Sequence, residues 1–244
     1  MKPDAVRMGD MANNEPRVLL FDIDGTLLNP SNEGRICLSR ALTEVFGTTG
    51  PIDDFPMAGK TDWQIVTELM TEAGLPADQI ASGLEASFDA YARAVSEAAP
   101  TLQMLLLPGV EVLLAALSGE PDFALGLVTG NVRDSVPVKL RAVGIDPSLF
   151  TFGAYGSERP HRNDLPGLAI SRWEEQWGEP VDRAKVLVIG DTSRDIECAR
   201  HAGVKVLAVA TGHTSAAELA EHLPDYVLED LTDTAAVIDI FKTF

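Results

Sequence analysis

The chain has 244 residues, is 45% hydrophobic and carries a formal charge of −18. That length suits one large domain or two small ones around a substantial core. The acidic balance argues against nucleic-acid backbone as a partner, because phosphate contact needs clustered Lys and Arg.

The same charge makes an anionic substrate awkward unless the site supplies local positive charge or a metal. Residues 1–16 read as a frayed lead-in, polar and acidic with no apolar stretch, so no signal peptide is expected. Two cysteines, Cys37 and Cys198, do not make a disulfide framework, which points to a reducing cytoplasm. The run Val18-Leu19-Leu20-Phe21 predicts a buried strand over 17–22. It runs straight into Asp22-Ile23-Asp24-Gly25-Thr26. Two carboxylates separated by one residue repel each other unless a cation lies between them or one keeps its proton for use. Strand alternation would aim both the same way, although the backbone is leaving the sheet there.

From 33 to about 99 the pattern is helical throughout. Apolar residues recur at helical spacing in Ile36, Leu38, Ala41, Leu42, Val45 and Phe46, and again in Ile65, Val66, Leu69 and Met70. Leu84, Phe88, Tyr91 and Val95 follow, with glycines and prolines as punctuation. The densest apolar stretch, 102–117, is broken by Pro108-Gly109 and holds Glu111, so it is read as a strand or loop followed by a helix and not as a membrane span. Strand and helix then alternate. Strands are predicted at 123–129, 151–155, 186–190, 204–210 and 226–228, with helices at 110–117, 132–143, 164–177 and 194–202. Such alternation implies an α/β fold with a parallel sheet covered on both faces. The isolated first strand makes the helical stretch an insertion into that core.

Ligands of open parallel sheets bind beyond the carboxyl ends of the strands. Those ends carry Asp22 and Asp24; Thr129-Gly130-Asn131; Arg159, His161 and Arg162; and Asp191 to Asp195. Acidic groups converging with a hydroxyl and a fixed cation suit Mg²⁺-dependent phosphoryl transfer. Mg²⁺ takes oxygen ligands, usually one or two carboxylates with phosphate and water, and the transferring phosphoryl needs donors around its oxygens.

Asp22-Ile23-Asp24-Gly25-Thr26, Val128-Thr129-Gly130-Asn131 and Gly190-Asp191-Thr192-Ser193-Arg194-Asp195 resemble the first, second and fourth motifs of the haloacid dehalogenase superfamily. Pro108-Gly109-Val110 and Asp195-Ile196-Glu197-Cys198-Ala199 are similar to its phosphoglycolate phosphatase-like branch. The resemblance implies a Rossmann-like core at 1–29 and 101–244 and a type I helical cap at 30–100. It departs at the third motif, where the superfamily has a lysine. No lysine occurs between Lys139 and Lys185. Arg162 takes that place by count from the following helix, with Arg159 as the alternative; arginine keeps the charge but is planar and bulkier.

The implied chemistry is a phosphatase acting on a small phosphorylated metabolite, phosphoglycolate-like or a sugar phosphate. Asp22 is then the nucleophile and Asp24, held protonated, the general acid and base. Mg²⁺ is held by the Asp22 carboxylate, the Asp24 main-chain carbonyl and Asp191. Thr129, Gly130 and Asn131 contact the phosphoryl group, Arg162 is the fixed cation, and Asp195 positions Arg162 or a metal-bound water. A cytoplasmic monomer or homodimer with no nucleic-acid or membrane partner is expected. The competing readings are a catalytically silent binding protein, for which the missing lysine speaks, and a phosphomutase. Residue by residue, Thr129 also suits a helix cap and Asp191 a plain N-cap. Lys60 suits either the substrate's remote end or solvent. Trp173 and Trp177 suit helix packing, and Cys198 a small core residue.

Overall fold

The protein, seen here as a computed structural model, is described over residues 15–29 and 32–244. Residues 1–14 of the lead-in expected at 1–16, and the domain boundary expected at residue 30, lie outside the described residues. In chain order the elements are β1 (Arg17–Phe21), β2 (Leu28–Asn29), α1 (Glu33–Phe46), α2 (Asp62–Glu72), α3 (Ala77–Ala98), β3 (Leu105–Leu106), α4 (Val110–Leu117) and β4 (Phe123–Thr129). They continue with α5 (Val136–Ala142), β5 (Phe152–Tyr155), α6 (Leu165–Trp177), β6 (Val186–Gly190), α7 (Ser193–Ala202), β7 (Lys205–Val209), α8 (Ala216–Glu221), β8 (Tyr226–Leu228) and α9 (Thr234–Thr243).

Six strands form one parallel sheet in the order β5-β4-β1-β6-β7-β8. The apolar runs explain it. Alternate residues of a strand face opposite sides, and each run supplies both. Val18 and Leu20 of β1 join the cluster under α6 and α7, with Val186 and Val188 of β6 beside them. Leu19 and Phe21 join the opposite cluster under α4, α5 and α9, with Leu187 and Ile189. Each such side chain buried from water contributes about 1.5–3 kcal/mol. Continuous apolar strands of this kind suit only a sheet covered on both faces. β1 is central, and the chain leaves it toward β4 on one side and β6 on the other, so its carboxyl end opens at the point where strand order reverses.

The helices α1, α2 and α3 form their own apolar cluster through Leu42, Leu69, Met70 and Phe88. Two of this block's attachments to the rest of the fold bear on the strand ends. One is the antiparallel pair of β2 with β3, Leu28 opposite Leu106. The other is the amino end of α2. The first N–H groups of a helix have no partner within it, and here sheet-edge loops accept them. Asp62 N donates to Gly130 O at 2.7 Å and Trp63 N to Gly156 O at 3.1 Å, while Thr61 Oγ1 donates to Pro160 O at 2.9 Å.

Three features differ from the pattern expected of the sequence. The single helix expected at 132–143 is a 3-10 turn, Arg133–Ser135, followed by α5, whose first turn holds Pro137. Strand β2 and the helices α8 and α9 were not expected, whereas β3 lies in the stretch 102–117 where a strand was one of two readings. α8 has one buried residue, Leu219, and α9 buries only Val237 and Phe241, so neither carries a long periodic signal. Trp173 and Cys198 are both buried in the core, and Trp173 stacks on Trp177 with ring centroids 5.5 Å apart.

Candidate active site

Asp22 is the first residue past β1, and its N–H donates to Ile189 O of β6 at 2.9 Å. The residue is 4% exposed. Asp191 is the first residue past β6. Asp195 stands one helical turn on, at the start of α7, where it closes a capping box: Thr192 N and Oγ1 donate to its Oδ2 at 3.0 and 2.6 Å. One carboxylate oxygen from each of Asp22, Asp191 and Asp195 lies within 4.8 Å of the other two. Gly25 turns the chain sharply away beside them at φ 86°, and a Cβ there would lie 2.3 Å from Asp191 Oδ2.

Arg162 reaches this acidic group from the turn before α6. Its Nη2 lies 2.8 Å from Asp22 Oδ2 and 2.5 Å from Asp195 Oδ1. Burial opposes the guanidinium charge, yet Asp195 and Asp22 outweigh it and hold Arg162 firmly protonated. Its Nε is buried with no partner among the described residues. Arg159, the alternative, is exposed and donates to Glu158 O. Of the two arginines, the fold brings Arg162 to the carboxylates.

One arginine does not neutralise three buried acids. Burial pushes the Asp22 carboxyl up to about 6, with Arg162 pulling the other way and Asp195 and Asp24 adding to the rise. Burial, then Asp195 and Asp22, push Asp191 up to about 8. Hard oxygen donors with this excess of negative charge fit a small divalent cation.

Asp24 belongs to a second network. Its Oδ2 accepts from Asn131 Nδ2 at 2.8 Å and from Lys139 Nζ at 3.0 Å. Lys139 also donates to Asn131 Oδ1, and Asn131 Nδ2 donates to Thr129 Oγ1 at 2.7 Å. Thr129 is fully buried, and its hydroxyl also accepts from Asn131 N at 3.4 Å. The two acids that strand alternation would aim alike therefore enter different networks. Asp22 joins the carboxylates and Arg162, and Asp24 joins an amide, a hydroxyl and a lysine.

Lys139 and Asp62 were not singled out in the sequence. Lys139 is 6% exposed. Burial opposes its charge, but Asp24, Tyr91 and Asp62 outweigh burial and raise its pKa. The signal was present: Val136, Lys139 and Leu140 fall at i, i+3 and i+4 on the buried face of α5, and a lysine on an apolar stripe needs a partner. Asp62 accepts from Val132 N at 2.7 Å, and burial pushes it up to about 6 against the pull of Lys139.

Gly130 lies between the networks. A Cβ there would lie 2.1 Å from Lys60 O and 3.3 Å from Arg162 Nη1. The Lys60 ammonium is taken by Glu68, at 2.5 Å, and lies 4.2 Å from the Phe55 ring centroid. His161, His201, His213 and His222 are exposed.

Residues 19–209 match the family model for haloacid dehalogenase-like hydrolases. A phosphoglycolate phosphatase of Synechococcus elongatus is 31% identical over 217 residues, which cover 89% of this chain and 94% of that protein. A pyrophosphatase of Bacillus pumilus is 30% identical over 139 residues, 55% of this chain and 61% of its own. The crystal structure of a hydrolase from Pseudomonas syringae gives a TM-score of 0.65 at 23% identity, covering 92% of this chain and 98% of that one. A predicted phosphoglycolate phosphatase from Haemophilus somnus gives 0.64 at 23%, covering 91% and 98%. The two solved structures bear on the fold alone.

Proposed function

This chain belongs to the haloacid dehalogenase-like hydrolases, and from that premise we propose that it is a Mg²⁺-dependent phosphatase of a small phosphorylated metabolite. The observation that carries the reading is Asp22, buried at the end of the central strand, ion-paired to Arg162 and within 4.8 Å of Asp191 and Asp195. Asp22 Oδ bonds to phosphorus as the ester P–O bond breaks, forming an aspartyl-phosphate. Asp24 gives a proton to the leaving oxygen, then takes one from the water that releases phosphate and restores the Asp22 carboxylate. Arg162 binds the equatorial oxygens, and its unpartnered Nε suits one of them. Thr129 and Asn131, with the Gly130 backbone, supply further donors.

Asp22 and Asp191, with the Asp24 main-chain carbonyl, would hold Mg²⁺, and Asp195 would keep Arg162 in place. When bound, the ion supplies positive charge that lets an anionic nucleophile meet an anionic substrate. Residues 30–100 act as a cap whose attachment through Asp62 and Trp63 excludes water from the reacting centre. The Lys60–Glu68 pair favours a role for Lys60 inside the cap over contact with substrate. The names of the relatives favour phosphoglycolate or a similar small phosphate, and Arg162 beside Asp22 favours a working site over a silent binding protein.

Hydrolysis of p-nitrophenyl phosphate with and without Mg²⁺, in the wild type and Asp22→Asn, tests the reaction. Metal-dependent turnover lost in the variant is expected; turnover that survives it would end the proposal. A panel of phosphorylated metabolites then ranks substrates by kcat/KM.

A further inference from the structure

We infer that Lys139 is a positioning residue for proton transfer: by fixing the Asn131 carboxamide and sharing its grip on Asp24 Oδ2, it leaves Asp24 Oδ1 for the leaving group. The inference rests on the phosphatase reading.

An ammonium group has donors and no acceptor. The carboxamide atom that Lys139 Nζ meets must therefore be oxygen, which fixes the orientation of the Asn131 amide. Asn131 Nδ2 is then obliged to face Asp24 Oδ2 and Thr129 Oγ1, at 2.8 and 2.7 Å. Thr129 Oγ1 thereby accepts a hydrogen bond, and its one proton stays available to another oxygen. Without the lysine the amide orientation rests on Asp24 alone, and once that carboxyl carries its proton the amide can turn over. Its oxygen would then face the Asp24 carboxyl, and Thr129 would spend its proton on Asn131.

The two oxygens of Asp24 are not equivalent. Oδ2 takes the Asn131 bond and the shorter Lys139 contact, at 3.0 Å. Among the described residues, Oδ1 has only the longer Lys139 contact, at 3.4 Å. Two donors hold one oxygen while the other stays available, which orients the carboxyl for a reacting partner. Lys139 is itself enclosed. It is buried on α5 and feels Asp62 and Tyr91 of the helical block. The block thus helps to set the geometry of an acid that belongs to the sheet.

The test compares phenyl phosphate, whose leaving group needs a proton, with p-nitrophenyl phosphate, whose leaving group hardly does. Lys139→Met in the full chain with Mg²⁺ is expected to lower kcat on phenyl phosphate about tenfold more than on p-nitrophenyl phosphate, within the range of general acid catalysis. Lys139→Arg should restore part of that ratio. In an Asp24→Asn background, Lys139→Met should leave the ratio unchanged, since the group it positions is gone. Lys139→Gln, smaller and still polar in the buried site, carries the same expectation if the methionine variant fails to fold. Equal losses on both substrates, or a ratio that still moves without Asp24, would overturn the inference while leaving the phosphatase reading intact. A wild type inactive on both substrates would overturn both.

Discussion

Arg162 Nη2 lies between two carboxylates, 2.8 Å from Asp22 and 2.5 Å from Asp195, with the arginine side chain 4% exposed. The cation beside Asp22 is therefore also a structural one. Arg162→Ala leaves two buried acids without a counter-charge, and breaking a buried pair in this way costs about 3–5 kcal/mol. Urea denaturation should show that loss beside the loss of turnover. Arg162→Lys keeps the charge and should fold, with reduced activity because an ammonium cannot bridge two oxygens as the guanidinium fork does. An alanine variant as stable as the wild type would show that the pairing does not matter to the fold.

Asp22→Asn separates chemistry from stability in the opposite direction. The substitution removes one of three mutually repelling acids and leaves Asp195 to pair with Arg162. Stability at neutral pH should stay within about 1 kcal/mol of the wild type, or rise, as happens where function holds strain. Turnover should fall by about 10³-fold or more, because the covalent bond of the proposed reaction forms on the Asp22 carboxylate. Thermal denaturation and kcat on one preparation check both halves.

The strands were legible because their residue types leave little choice. Val186 to Ile189 is apolar at every position and can only be a strand covered on both sides. The acids after β1 and β6 were legible as strand-end groups for the same reason. Arg162 could be placed by counting, and its contact with Asp195 was one of two roles that the resemblance implied for that acid; choosing between them depends on how α7 packs against the turn before α6. Lys139 was harder. It lies ten residues past Thr129, and only the docking of α5 brings it to Asp24. The division of Asp22 and Asp24 between two networks was not legible either, because the chain leaves β1 before Asp22 and period-2 alternation no longer applies there.

Metal and pH should act together on this site. Asp22 rises to about 6 and Asp191 to about 8 in the folded chain, from an ordinary value of 3.8. Between about pH 4 and 8 the folded, metal-free protein therefore holds protons that the unfolded chain has released. Stability contributed by these two groups falls as pH rises across that window and levels off above it. A bound divalent cation favours the ionised forms and reverses the trend, releasing protons as it binds. The rise in Tm on adding Mg²⁺ is expected to be small at pH 5 and to grow toward pH 8. An equal rise at both pH values, or none, would count against a metal at these carboxylates.

The attachment of the helical block should be as sensitive as the carboxylates themselves. Asp62 N donates to Gly130 O at 2.7 Å, and the Lys60 carbonyl packs against Gly130, where a Cβ would lie only 2.1 Å away. Backbone cannot yield as a flexible side chain does, so Gly130→Ala forces the α2 end away from the sheet. Overpacking of this kind costs about 1–3 kcal/mol, which should appear as lower resistance to urea. The displacement would also move Asp62, which accepts from Val132 N, and loosen the surroundings of Lys139. Activity should therefore fall further than the stability loss alone explains at temperatures where the variant is fully folded. Hydrogen exchange at the Asp62 and Trp63 amides would report the cause directly. Faster exchange there, with β1 and β6 unchanged, is the expected result. Wild-type protection at both amides would mean that the block accommodates the methyl without separating.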